Sequence, residues 1–307
     1  MKKSLTRKLT IAVIALVFAV VSLSTSTYAW FTMSDDADVE AFTADVKAGQ
    51  GIEIAVTTDG IATNAQWYTG VIPQTVIQTV VPTGFKFDAV TTKTSALDFK
   101  KLNANSKAED AATANTDYIT FWVHIKAAKA GDIQLNGITF DSKKSGADPE
   151  AWIADAAYQL DATREVVVND KVLYEVENAA RVSITANSVT NIYEKGAVAT
   201  TGDKVADDVS TYVAGNQYGL NKESNQYGAF AYYNAKNNTK LVIGEASSYS
   251  TTTIESLPTA PVVLKSVNEN EVLDIQVRVW IEGWDTECLN AIFAQTLSTA
   301  LSFNYAA

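Results

Sequence analysis

Two stretches constrain this chain more than any others. "DYITFWVHIKA" places Ile119, Phe121, Val123 and Ile125 at alternate positions, and "LDIQVRVWIEG" does the same with Ile275, Val277, Val279 and Ile281. Alternate side chains of an extended backbone project to opposite faces, so a strict period of two marks a strand with one face in a core. "GIEIAV" repeats the pattern with Ile52, Ile54 and Val56 inward and Glu53 outward, "ARVSITA" with Val182 and Ile184, and "ALSFNYA" with Leu301, Phe303 and Tyr305. In "DIQLNGITF", Ile133 and Leu135 precede Asn136-Gly137, a turn signal.

Helical patterns are few. "DPEAWIADAAYQL" (Asp148–Leu160) opens with Asp and an early Pro, and "DTECLNAIFAQTL" (Asp285–Leu297) carries an apolar stripe behind Asp285 as N-cap; both predict short helices. Lys101–Asp117 reads as a polar loop. From about 193 to 256 the composition shifts to Asn, Tyr, Gly and Ser, and "NQYG" occurs at Asn216–Gly219 and again at Asn225–Gly228. A decorated loop or hairpin accounts for this segment, and a contact surface of exposed Tyr and Asn is the sharper alternative. The chain has 307 residues and is 47% hydrophobic, enough for a sizeable core. The expectation is an all-β, jelly-roll-type β-sandwich with a few short helices and a long polar insertion, occupying 49–307.

The first 29 residues have the features of a signal peptide. "MKKSLTRK" is basic, "LTIAVIALVFAVVSL" is apolar, and Thr27 and Ala29 stand at the −3 and −1 positions of a cleavage site between Ala29 and Trp30. The rival reading is an uncleaved segment that anchors the chain to a membrane. Either way the chain is expected outside the cell, with a signal peptidase as a partner during export if the segment is cut. Residues 1–29 hold four of the 24 Lys+Arg and none of the 35 Asp+Glu, which leaves 20 against 35, a net of −15, in the remainder. Such a charge repels nucleic acid and anionic lipid, so neither is an expected partner. One cysteine, Cys288, cannot pair within the chain, so stability must come from packing or assembly.

No catalytic set emerges. The single histidine, His124, has no acidic residue two positions away, and no phosphate-cradling glycine loop occurs. Three aspartates in "SDDADVE" (Ser34–Glu40) lack the glycine and closing glutamate of a calcium loop, so a solvated acidic loop is preferred. No enzyme activity, cofactor or metal is expected. "RVWIEGWDTECLNAIF" packs Trp280, Glu282, Gly283, Trp284, Asp285 and Cys288 into one stretch. It reads as a structural closure: strand, turn at Gly283, helix capped by Asp285, final strand. Trp280 and Trp122 share a face class and are expected to pair across neighbouring strands.

Three stretches carry a resemblance. "YAWFT" at the end of the signal, "ARVSIT" in the middle and "VRVWIEGWDTEC" before the last strand resemble exported proteins of the TasA/camelysin type, which are often processed by a dedicated signal peptidase. The resemblance implies a jelly-roll subunit of an extracellular fibre in a bacterial biofilm matrix. It also implies that the segment freed by cleavage, residues 30–48, becomes a donor strand for the next subunit. Phe31, Val39, Phe42 and Val46 would then fill a neighbour's sheet, giving a head-to-tail homopolymer. The alternative is a monomeric cell-surface module for adhesion or glycan binding that uses the Tyr/Asn-rich insertion.

Overall fold

The computed structural model describes residues 43–49, 51–81, 85–93, 97–102, 108–144, 152–159, 165–173, 175–195, 204–205, 231–232, 235–236, 254–283, 285, 288, 292 and 295–306. The expected signal segment, the expected cleavage pair Ala29 and Trp30, the acidic run Ser34–Glu40, Phe31, Val39, Phe42, Trp284 and most of the insertion lie outside them. The fold is an all-β sandwich of two main sheets. No helix among the described residues is long and apolar enough to cross a membrane.

The first sheet has four strands. β1 (Thr43–Ala48) lies beside β18 (Gln295–Ala306), then come β7 (Gly131–Lys144) and β16 (Val262–Val267). The second sheet is built around β17 (Val272–Glu282). On one side β17 pairs with β12 (Ala180–Ala186), followed by β13 (Val189–Glu194) and β15 (Ile254–Ser256). On the other side β6 (Ile119–Ala127) covers Val272–Val279 and is itself paired with β2 (Ile52–Thr57). Beyond that point β3 (Ala89–Lys93) takes over in parallel at Ile281 and Glu282, extended by β4 (Asp98–Leu102) and β5 (Ala108–Ala111).

The alternating residues named above behave as their period requires. Phe121, Val123, Ile125, Ile275, Val277 and Val279 leave no surface in water, and they share one core with Val46, Leu135, Leu301 and Phe303 of the facing sheet. Burying each such side chain is worth about 1.5–3 kcal/mol, so the strand faces, not the connections, supply the stability.

Four local expectations do not survive. Asn136-Gly137 is not a turn: β7 runs through it, and the register with β18 slips so that Ser302 faces Gly137 and Phe303 faces Leu135. Asn136 is the extra residue of a bulge, which bends the long strand around the core. Within Asp148–Leu160 the described residues form β8 (Trp152–Ile153) and β9 (Tyr158–Gln159), not a helix. Their backbone bonds are drawn away by β10 (Glu165–Val166), by β11 (Lys171–Leu173), and by the pair Ala154 N to Asp170 O and Asn169 N to Ala154 O (2.9 and 2.8 Å). Over Asp285–Leu297, Asp285, Cys288 and Ile292 are not helical, and Leu297 belongs to β18. The chain there advances through i to i−3 bonds: Asp285 N to Glu282 O, Cys288 N to Asp285 O, and Gln295 N to Ile292 O. Lys101–Asp117 is not one loop, since it contains β5 and ends in a side-chain contact between its two terminal residues.

The two described α-helices are short: α1 (Gln74–Val80) and α2 (Val176–Ala179). Two-residue β14 (Lys204–Val205) pairs with β11 and is one of the few described parts of the insertion.

Candidate functional site

Three features carry chemistry or assembly potential. The first is the edge of the four-stranded sheet. β1 runs parallel to β18, from Thr43 opposite Ser298 to Ala48 opposite Phe303, although β18, β7 and β16 are mutually antiparallel. Val46 stands opposite Leu301 and is wholly buried. Of the residues expected to form a donor strand, it alone is among those described, and it fills this chain's own core. The other edge of β1 receives one bond, from Ile72 N to Val46 O (3.0 Å), just before α1 begins. β1 reaches β2, in the opposite sheet, through Gly49–Gly51. Gly51 has a φ of +87°, a conformation that side chains with a Cβ rarely adopt.

The second feature is the closing block. Arg181 of β12 donates from Nε to Glu194 of β13 (2.6 Å) and from Nη1 to Glu282 at the end of β17 (2.7 Å). Trp280 donates its indole N–H to the same Glu282 oxygen (3.3 Å). Asp285 lies within hydrogen-bonding reach of Glu194. Arg181, Glu194, Glu282 and Asp285 are each at most 4% exposed, so two carboxyl groups share one guanidinium, with Asp285 against Glu194, in a site nearly closed to water. Burial holds the Glu194 carboxyl well above the usual range; Arg181 pulls it down and the Asp285 carboxylate pushes it up again. Asp285 therefore faces inward to the cluster and not along a helix start. Cys288 is buried beside it. Burial, with Asp285 and Glu282 nearby, raises its thiol well above the ordinary value, which makes the thiol unreactive.

Trp280 does not pair with Trp122. In the register Trp280 faces Arg181, whereas Trp122 faces Gln276 four residues away along β17. Trp280 is covered instead by β4, with Phe99 edge-on at 5.1 Å, inside a small second core that includes Val90 and Ile192.

The third feature is invisible to local sequence. His124 faces Asp274 across the β6–β17 pair, and its Nδ1 lies 2.6 Å from Asp274 Oδ1. Its Nε2 lies 2.8 Å from Thr57 Oγ1, and that hydroxyl also accepts the Gly60 N–H (3.2 Å). Carboxylate, imidazole and hydroxyl thus line up as they do in a triad. The imidazole is completely buried, and the nearby Gly60 N–H is spent on the hydroxyl and not free to hold an oxyanion. The arrangement works as a clamp across β2, β6 and β17. Among the described residues no group of three His, Cys, Asp or Glu is placed to hold a metal ion.

The Glu194 carboxyl sets a pH prediction. Its folded-state pKa is raised, so the folded protein keeps a proton that the unfolded chain releases near about pH 4.3. Its contribution is largest at and below that pH and falls as the pH rises toward the folded value. Glu194→Gln is expected to be more stable than the parent at neutral pH and equal to it near about pH 4. Urea midpoints of the two proteins across that range test this; a constant difference would remove Glu194 as the titrating group.

No protein-family model, curated protein or solved structure matches this chain.

Proposed function

We propose that the protein is a secreted structural subunit of an extracellular fibre or biofilm matrix, of the TasA/camelysin kind, which polymerises head to tail by exchange of its N-terminal strand. The observation that carries this reading is the parallel seating of β1. β1, continuous with β2 through Gly49–Gly51, completes the edge of the four-stranded sheet and buries Val46. Removing β1 breaks the Ile72 N to Val46 O bond and opens a slot along β18. An identical strand from a second copy meets the same hydrogen-bonding groups and the same cavity under Leu301, so exchange costs little in contacts and gains a neighbour. Repetition of that step does not close on itself and yields a filament. The upstream residues Phe31, Val39 and Phe42 would extend the donor segment. The excess of acidic side chains keeps unassembled chains apart, and salt that screens them should speed assembly.

Negative-stain microscopy of a chain starting at Trp30, beside one starting at Gly49, tests the reading. Filaments from the first and none from the second are expected. Separate particles from both, across pH and calcium concentration, would move the assignment to a monomeric surface module.

A further inference from the structure

We propose that Lys101 and Asp88 join through an intramolecular isopeptide bond, with Asp117 moving the protons. The juxtaposition is made by three separate pieces of chain. Asp88 stands immediately before β3, Lys101 lies on β4 opposite Val90, and Asp117 ends the turn that leads into β6. Lys101 Nζ is 2.5 Å from Asp88 Oδ2 and 3.1 Å from Asp117 Oδ1. The two carboxyl groups also contact each other. Other described lysines, such as Lys126 on Glu53 and Lys265 on Glu271, meet a single carboxylate.

The two aspartates are held differently, and the difference assigns their roles. Asp117 is 5% exposed and anchored twice: its Oδ2 accepts the Thr113 N–H (2.6 Å) and its own N–H bonds to Thr113 O (2.9 Å). Burial works against its charge, yet the Thr113 N–H, Asp88 and Lys101 together hold its carboxyl below the ordinary range. Asp88 goes the other way: burial and the neighbouring Asp117 outweigh Lys101 and raise it. Asp88, the more readily protonated of the two and the nearer to Nζ, is thus the carboxyl group that the amine attacks in its acid form, and Asp117, anchored by Thr113, is the base. Lys101 is held as an ammonium; burial opposes this and the two aspartates prevail. The reaction therefore begins with a proton transfer. Phe99, two residues before Lys101 in β4, stacks on Tyr118 at 4.1 Å and meets Trp280 edge-on, so an apolar aromatic shelf lies beside the lysine.

In the reaction, Asp117 takes one proton from the ammonium. The freed amine adds to Cγ of Asp88, forming the C–N bond. The C–OH bond then breaks, and the hydroxyl leaves as water with the proton that Asp117 returns. The nitrogen's second proton passes to Asp117, which ends as the acid. One amide and one water replace an ammonium and a carboxylic acid, with no oxidant or other co-reactant. The product pins β4 to the start of β3, the strand that pairs with the end of β17 beside the buried block. It supplies the covalent staple that a chain with one cysteine cannot make as a disulfide.

Intact-mass measurement of the purified protein, with peptide mapping, tests the proposal. The parent should be lighter than its sequence by one water, with Lys101 and Asp88 recovered in one branched peptide. Lys101→Arg, which keeps the cation and thus the fold, should have the full sequence mass, and Asp117→Asn should retain at least half of its chains at full mass. A parent at full sequence mass would overturn the proposal. So would a missing water that persists in Lys101→Arg, since that would locate the dehydration elsewhere, for example in an aspartyl succinimide.

Discussion

Replacing Arg181 by alanine should destabilise the protein by about 3–5 kcal/mol, the range seen when one partner of a buried ion pair is removed. Arg181 is 4% exposed and binds Glu194 and Glu282 through separate nitrogens. Without it, Glu194 and Glu282 lose the cation that both contact, in a site with little access to water. The folded state must then protonate or open. Two further results follow from the same geometry. Arg181→Lys should recover only a small part of the loss, because one ammonium cannot serve two carboxylates in the directions that a guanidinium fork reaches. Lowering the pH should narrow the gap between Arg181→Ala and the parent, because protonation removes the stranded charge. Urea unfolding at neutral and acidic pH measures all three. A loss below about 1 kcal/mol, the size typical of an ordinary substitution, would mean that the cluster is solvated.

The second large effect concerns assembly and rests on the proposed strand exchange. Lys47 is opposite Ser302 in the β1–β18 register. Neighbouring strands lie about 4.8 Å apart, within the Cα separation that a disulfide spans. A Lys47→Cys, Ser302→Cys double variant should therefore lock β1 into its own sheet when oxidised. Filament formation is expected to be abolished in the oxidised protein and restored by reductant, read by light scattering and microscopy. The native thiol does not compete, because Cys288 is buried and its pKa is raised. Filaments of normal appearance from fully oxidised protein would show that β1 stays home during assembly.

How much of this was legible in the chain differs by element. The inward faces of β2, β6, β17 and β18 follow from period-two alternation, because the strand backbone itself enforces that period. The helices expected at Asp148–Leu160 and Asp285–Leu297 fail for a common reason. Caps and stripes describe a local preference worth little per residue, and it yields to tertiary partners. At Asp285 the partner is Glu194 in the neighbouring part of the sheet, and at Tyr158 it is the ring of Tyr232 at 5.5 Å. Asn136-Gly137 has turn chemistry, but β7 pairs with β18 on both sides of it, and a bulge satisfied both. The strand and the turn at Gly283 in the stretch around Trp280 were legible. The identity of its counter-charge was not, because Arg181 lies 101 positions before Glu282.

By itself, then, the order of residues determined the fold class, the composition of the two core faces, the acidic surface and the absence of an internal disulfide. Each of these depends on local backbone geometry or on simple counting. Only the tertiary structure decided which groups meet: Asp274 with His124 across 150 positions, Arg181 with Glu194 and Glu282, Lys101 with Asp88 and Asp117, and β1 with β18 in parallel. The physical reason is that strand alternation is a property of a few consecutive residues. The choice of partner is settled when whole sheets close and every buried polar group must find its complement.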